Sequence, residues 1–401
     1  MVPLQSTENI AYDSAPLTHR AILSSSNPSG SYFDINLAPH TGSNPNIIPH
    51  PLLPSIWIVV AQQQRSSVKN TVWFAELVCD AVFNPDNSSL QCIPSSLVTL
   101  PIAATYGDRC EGDLNFFSLN IGPHDTRVFY GPKSPFAIYG SQSGFTCFGQ
   151  WLQNFRMLLD WGLETLGEQQ WRRPTELQRP TPYRPIEKNW FIFWDVDGQM
   201  YAHYDVAPRR VFAQLHSDGS VGLDLAPAAA AVGDEQCLSR HMPQGEIHQA
   251  TNSLSITMCA RDDQSCTPTY ENTFIMMIFQ QKTLHGFHSV YEPYVMLFRQ
   301  WAPFEVYAIS RKPLWIYGRK RKSEAMIGSA AASSLEGEAK PEQGSQMFYI
   351  TSIAWKTQGQ KYYGYLSDEL FIAFGIEDSS AAAIDVRAAD ILPDLVYCSE
   401  V

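Results

Sequence analysis

Apolar positions along this chain fall in short bursts rather than in long helical stripes. Segments such as "SIWIVVAQ", "TVWFAELVC", "PFAIYGS", "NTFIMMIFQQ", "EVYAIS" and "MFYITSIAW" are rich in β-branched and aromatic residues. Turn residues separate them at fairly regular intervals, which predicts many short strands. Helical periodicity is scarce. Its best case is "GQWLQNFRMLLDWGLETLG" at 149–167, where apolar residues recur at steps of three and four, so one short helix is expected there. Many punctuated strands mean a sandwich, a barrel or a propeller. A single sandwich of 401 residues would be unusual, whereas five four-stranded blades of about 60–80 residues each fit the length. The expected fold is therefore all-β, a five-bladed β-propeller, although no crisp blade repeat is visible.

The expected organisation is an N-terminal extension over 1–39 and one propeller domain over 40–398. Two polar stretches break the strand rhythm and are expected as surface-loop insertions. One is Arg/Pro/Gln-rich, at about 164–187. The other, at 318–346, joins the basic run "GRKRK" to a Gly/Ala/Ser/Glu-rich segment of solvated composition.

Composition adds constraints. Hydrophobic residues make up 44% and charged residues 17%, enough for a large core. Ten Trp and eighteen Tyr suit β layers, and suit sugar-facing clefts as well. The net charge of −12 argues against nucleic acid as a partner, because phosphate backbones select basic faces. No apolar run approaches the length of a membrane span. The eight cysteines show no CxxC or other metal-ligand spacing, so no metal site is expected, and no cofactor. Their even number permits disulfides, and "NSS" at Asn87 is an N-glycosylation sequon. Together these point to the secretory pathway, either the Golgi lumen or the outside of the cell, with the cytoplasm left open.

Five stretches carry polar residues that a buried strand would not need. They are "GSNPNIIP" (42–49), "GPHDTRVF" (122–129), "EKNWFIFWDVDGQMYAHYDVAP" (187–208), "GEIHQATNS" (245–253), and the region from "LHGFHSVYEPYVMLF" (284–298) to "YYGYLSDELFIAFGIED" (362–378). In this order they resemble the five-bladed β-propeller carbohydrate enzymes, glycoside hydrolase family 130 and the related β-mannosyltransferases and phosphorylases. An Asn-Pro element opening the first blade matches Asn44-Pro45. A G-x-E-D-P-R element in the second matches Gly122 to Arg127, with His124 and Thr126 replacing the usual Glu and Pro. A K-N-W element in the third matches Lys188-Asn189-Trp190, followed by Tyr204 and Pro208. The resemblance spans residues 40–390.

It implies an enzyme acting on β-linked mannosides or a related hexose, by inverting glycosyl transfer or phosphorolysis, with Asp125 as general acid or base. Arg127, Lys188, Asn44, His248, Asn252, His288, Tyr204 and Asp368 are the implied binding residues for sugar or phosphate. The implied partner is an oligosaccharide, a sugar phosphate or a nucleotide sugar. An inverting hydrolase needs a second carboxylate about 6.5–9.5 Å from the first. Glu246, Asp368 and Asp378 are the candidates for it. A phosphorylase needs only the acid and a cationic cradle for phosphate. Two alternatives stay open: an inverting β-mannoside hydrolase, and a non-catalytic glycan-binding or interaction propeller, which the changes at His124 and Thr126 would suit. Each residue also has a plain structural reading. Asp125 can simply cap its turn, Lys188 can be a solvated edge charge, and Tyr204 and Trp190 can be packing.

Overall fold

The structure, a computed structural model, describes residues 15–63, 74–119, 122–161, 170–286, 288–321 and 345–398. The described chain is mostly β. Strands β1 (Arg20–Ile22) and β2 (Phe33–Asn36) precede a first meander of β3 (Gly42–Pro49), β4 (Trp57–Gln63), β5 (Glu76–Phe83) and β6 (Ser89–Cys92), with β7 (Val98–Thr99) on the edge of β5. Next come β8 (His124–Tyr130), β9 (Pro135–Gln142), β10 (Phe148–Asn154) and β11 (Thr175–Glu176), an antiparallel sheet in that order. Strands β12 (Phe191–Trp194), β13 (Met200–Asp205) and β14 (Val211–Gln214) make a three-stranded sheet.

The following group holds β15 (Glu246–Gln249) and β16 (Leu254–Thr257), which both pair with β17 (Thr273–His285). β17 in turn pairs with β18 (His288–Arg299), and β18 with β19 (Val306–Ser310). After β20 (Leu314–Ile316) come β21 (Phe348–Trp355), β22 (Tyr363–Tyr365), β23 (Glu369–Ile376), β24 (Ser380–Arg387) and β25 (Leu395–Tyr397). β21, β23 and β24 form a ladder that β2 completes by pairing with β24. The described part of 1–39 is thus woven into the sheets: β1 pairs with β20, and β2 runs parallel to β6 on its other side.

The apolar clusters explain why so many strands are hydrophobic on both faces. One cluster packs Ile48, Ile58 and Val78 of the first meander on Val128 and Ala137 of the second group. Another joins Phe129 and Leu152 to Phe193 and Phe212, and these to Met277 and Phe298. A third packs Ile278 and Leu297 on Ile353 and Phe374. The last returns from Phe371 and Ala383 to Phe33, Ile47 and Val59. Each strand group therefore buries one face on the group before it and the other on the group after, and the last packs on the first. A strand covered on both sides reads as a continuous apolar run, as "LFIAFGI" does.

Two expectations are corrected here. The stretch expected to be helical begins as strand β10, paired with β9 from Phe148↔Gln142 to Asn154↔Phe136. A 3₁₀ turn, Phe155–Met157, follows, opened by Asn154 accepting from the Arg156 amide at 3.0 Å; residues 162–167 lie outside the described ones. Burial on both faces had removed the two-residue alternation and left spacings that mimic a helix. Among the described residues the α-helices are α1 (Ala226–Ala230), α2 (Asp234–His241) and α3 (Ala388–Ile391).

The second correction concerns 170–187, which is not a loose surface loop. It supplies edge strand β11 and the buried Arg179, whose guanidinium bonds both oxygens of Glu187 at 2.9 Å and Asp205 at 2.7 Å. Of the 318–346 stretch, 322–344 lie outside the described residues. All eight cysteines are paired, as Cys79–Cys92, Cys110–Cys147, Cys237–Cys398 and Cys259–Cys266. Four disulfides suit an oxidising environment.

Candidate active site

One backbone device recurs at the mouths of three strand groups. The register slips between Ser43 and Asn46 at the start of β3, and between His124 and Arg127 at the start of β8. Inside each slip sits a left-handed residue, Asn44 at φ 53° and Asp125 at φ 50°, and a third, Asn189 at φ 63°, immediately precedes the Trp190 that leads into β12. Asn and Asp tolerate this conformation best among residues with a Cβ. The Asn-Pro, His-Asp-Thr-Arg and Lys-Asn-Trp motifs thus each place a short polar side chain at a strand opening, a bulge function seen beside active sites.

These openings meet. Asn44 donates from Nδ2 to Oδ1 of Asp125 at 2.8 Å. The Asp125 bulge rests on a cross-strand pair, Gln62 of β4 and Glu76 of β5. Gln62 Oε1 accepts the Asp125 amide and Glu76 Oε1 accepts the Thr126 amide, each at 3.1 Å. Asn46 clamps the same segment, donating to Thr126 O at 2.7 Å and accepting the Val128 amide at 3.2 Å. Arg127, only 5% exposed, reaches across to Thr351 O of β21 at 2.7 Å and to Asn189 Oδ1 at 2.9 Å. Asn189 O accepts Gln249 Nε2 at 3.0 Å. Five strand groups therefore contribute to one polar cluster.

Tyr349 of β21 lies within the electrostatic reach of both Asp125 and Arg127, its phenol held above the ordinary range by burial and then modulated by those charges. Its ring meets Tyr291 edge-on at 4.8 Å, and Tyr291 meets His248 edge-on at 5.6 Å. His248 Nε2 pairs with Glu246 Oε1 at 2.8 Å. Burial, then Lys282 and Lys188, lowers the His248 pKa against the opposing pull of Glu246, which favours a neutral ring at neutral pH. Loss of hydration, followed by the charges of Asp125 and Glu377, raises the carboxyl of Asp378. Glu76 is fully buried, and desolvation first, with Asp125 adding to it, pushes its carboxyl well above the ordinary value against the bond from Thr126. Behind the half-buried Asp125 thus stands a carboxyl whose neutral form burial favours.

The remaining expected residues are placed as follows. Lys188 is exposed beside Asn189; with His248, Glu246, Arg184 and Tyr204 it lines a cleft of about 410 Å³. His288 sits at the rim, bonding Ser345 O at 3.0 Å and lying 3.6 Å from Glu377. Tyr204 is 2% exposed and packs edge-on against Trp190 at 4.7 Å. Asn252 is buried, donating to Ile353 O at 2.9 Å and accepting the Ile353 amide at 3.1 Å. Asp368 lies apart. It pairs with Arg261 at 2.6 Å, next to the Trp355↔Leu370 end of the β21–β23 ladder, whereas Tyr349↔Gly375 marks the site end. Six residues of strand separate those ends by roughly 20 Å. Of the three candidate second carboxylates, Asp378 is the one electrostatically coupled to Asp125.

Glu76, Gln62, Asn46, Tyr349, Tyr291 and Thr351 were not foreseen. Glu76 carried a usable signal, as one acid inside the apolar run "FAELVC". Among the described residues, no group of three or more His, Cys, Asp or Glu side chains is arranged to hold a metal ion.

No protein-family model matches this sequence, and no curated protein matches it. Among solved structures, the β-1,2-mannobiose phosphorylase of Listeria innocua aligns over 95% of this chain and 95% of its own, at 12% identity and a TM-score of 0.40. MPT-1, a GDP-Man-dependent mannosyltransferase from Leishmania mexicana, aligns over 96% and 94%, at 7% identity and a TM-score of 0.43. An α-L-arabinofuranosidase from Lactobacillus brevis aligns over 88% and 92%, at 9% identity and a TM-score of 0.43. Likeness at this level transfers neither substrate nor mechanism.

Proposed function

We propose that this chain is a carbohydrate-active enzyme built as a five-bladed β-propeller over residues 40–398, with β2 from the preceding segment closing the last blade. Its blades would be the five strand groups that pack in a ring, and its active site the cluster at their shared mouth. The reaction is an inverting transfer or phosphorolysis at a β-linked mannoside or a related hexose, with Asp125 as the acid or base. The observation that carries this reading is the convergence of three segments far apart in sequence, Asn44 on Asp125 and Asn189 on Arg127, through direct hydrogen bonds.

In phosphorolysis, Asp125 supplies the proton that the leaving sugar oxygen takes up. Phosphate oxygen attacks the anomeric carbon from the opposite face as the glycosidic C–O bond breaks, which inverts the centre. Lys188 and Arg184, in the adjoining cleft with His248, are the cationic and donor groups for that phosphate. In transfer, Asp125 instead takes the proton of the acceptor hydroxyl. A second reading is an inverting hydrolase: Asp378, just past the Tyr349 end of the β21–β23 ladder, feels the charge of Asp125 and would be the second carboxyl of the pair. The disulfides and the Asn87 sequon support a secretory setting, in the Golgi lumen or outside the cell.

The test is a screen of short mannosides, sugar phosphates and nucleotide sugars on wild type and Asp125→Asn, with anomeric products followed by NMR. Asparagine suits the left-handed backbone at 125, so the fold is expected to persist. Turnover is expected to fall by about 10²–10⁴-fold. Equal rates with and without phosphate or an activated donor would select the hydrolase. Unchanged turnover in Asp125→Asn removes Asp125 from the mechanism, and glycan binding with no turnover at all selects a non-catalytic propeller.

A further inference from the structure

His203 of β13 is fully buried and has no part in the reaction sketched above. Its cross-strand neighbours, Phe191 of β12 and Phe212 of β14, stack on it with nearly parallel rings at 4.6 and 5.8 Å, which fixes the imidazole plane. Both ring nitrogens are engaged. Nε2 faces Arg210 Nε at 3.3 Å, and Nδ1 faces Gln249 Oε1. A guanidinium only donates, so Nε2 is the acceptor. The ring proton therefore sits on Nδ1 and is donated to Gln249. Burial first, then the charge of Arg210, lowers the ring's pKa well below the ordinary histidine value, so the ring stays neutral.

This turns the Gln249 amide in one direction. With Oε1 held by His203, Nε2 donates to the backbone oxygens of Asn189 and Tyr204, each at 3.0 Å. Carbonyls only accept, so both ends of the line impose the same polarity. Gln249 borders the 410 Å³ cleft, yet both its amide hydrogens are committed to backbone oxygens, which leaves none for a ligand. Arg210 is anchored in turn by Asp234 at 2.5 Å and by Phe304 O at 2.8 Å. At the other end, the left-handed turn of Asn189 presents Oδ1 to Arg127 at 2.9 Å. A hydrogen-bonded line thus runs from the first turn of α2 to Arg127.

We propose that His203 and Gln249 are positioning residues for Arg127: the imidazole orients the amide, and the amide clamps the Asn189 turn that holds the guanidinium in the Asp125 cluster. The clamp rests on the hydrogen bonds alone, while its bearing on turnover rests on the functional reading above.

The test uses full-length protein labelled with ¹⁵N-histidine and ¹⁵N-arginine and read by NMR, beside turnover of the substrate that the screen identifies. Wild type should show His203 protonated on Nδ1, with no titration from about pH 5 to 9. A proton on Nε2, or a titration in that range, overturns the proposal without any variant. Gln249→Met is close in size but has no amide. It should shift the Arg127 guanidinium signals and lower turnover by about 10²-fold, the scale of a misplaced site group. Unmoved Arg127 signals overturn the proposal, and so does full turnover with moved signals. His203→Asn keeps an N–H where Nδ1–H stood, whereas His203→Phe keeps a ring and loses the donor. Asparagine should hold the Arg127 signals near wild type and phenylalanine should shift them. Equal shifts, or the reverse order that packing alone predicts, overturn the proposal. Thermal melts check that each variant folds, and the wild-type measurement decides where one does not. If wild type turns nothing over while the Arg127 signals follow this order, the clamp stands and the functional reading falls. If turnover depends on Asp125 and the Arg127 signals ignore Gln249, the functional reading stands and the clamp falls.

Discussion

Replacing Glu76 by glutamine tests how the Asp125 loop is held. The side chain is 0% exposed, and its Oε1 accepts the Thr126 amide at 3.1 Å. Glutamine keeps an acceptor oxygen in that place and adds no charge. Among the described residues no cation pairs with Glu76, so its ionised form would carry the desolvation cost of a buried anion, several kcal/mol even after relaxation. Burial, the larger cause, and the nearby charge of Asp125 raise its pKa well above 4.5.

A raised pKa in the folded state means that the folded protein keeps a proton the unfolded chain releases. The stability this contributes is complete below the ordinary value of 4.5 and is lost as the pH rises towards the raised one. The loss has a slope of about 1.4 kcal/mol per pH unit and flattens beyond the raised value. Below pH 4.5, Glu76→Gln should sit within about 1 kcal/mol of wild type, because the Thr126 bond survives. The assay is the urea midpoint of both proteins from pH 4 to about 9, analysed as a difference so that other titrating groups cancel. The difference curve should climb in favour of glutamine and then level. Asp125→Asn removes the charge that helps raise Glu76, so in that background levelling should come at lower pH and after a smaller loss. Parallel profiles for wild type and Glu76→Gln would refute the reasoning, since they would mean that the carboxyl titrates as it does in the unfolded chain.

Two further outcomes probe the frame around the site. Replacing Cys237 and Cys398 together by alanine opens a loop with a sequence separation of 161. Chain entropy puts the cost at about 5 kcal/mol, read as a lower urea midpoint. Arg179→Met leaves Glu187 and Asp205 facing each other without their shared cation. That should cost about 3–5 kcal/mol at neutral pH, with partial recovery on acidification as Glu187 takes up a proton, while Asp205 keeps Arg184 at 2.9 Å; a loss that does not change with pH would show that packing, not charge, is what Arg179 supplies.

How much of this was legible beforehand depends on whether a feature is local. Runs such as "FIFW" and "LFIAFGI" declare strands because β-branched and aromatic side chains fit a pleated, packed surface. Asn44, Asp125 and Asn189 stood out through the order of their motifs, which carries the family resemblance; their left-handed backbone is visible only in the structure. Locality also explains the errors. In "GQWLQNF" the apolar spacing was ambiguous, and the seven-residue ladder with β9 resolved it as a strand. The Ala-rich "LAPAAAAVGDEQCLSRH" held real helix propensity that was passed over.

Asp368 and Asp378 show where local reading ends. Both close a strand in a turn, and nothing in their neighbours says which end of the ladder faces Asp125. Tertiary structure settles it, because the β21–β23 register sends Asp378 to the Tyr349 end and Asp368 to the other. Glu76 and Thr126 are 50 residues apart, and Arg127 and Thr351 are 224 apart. Their contacts exist only because each strand group needs cover on both faces and finds it on its neighbours. Side-chain chemistry and short-range periodicity are written residue by residue and could be read in order. Which carboxyl is buried and which arginine is shared depend on long-range packing, which one-dimensional spacing does not encode.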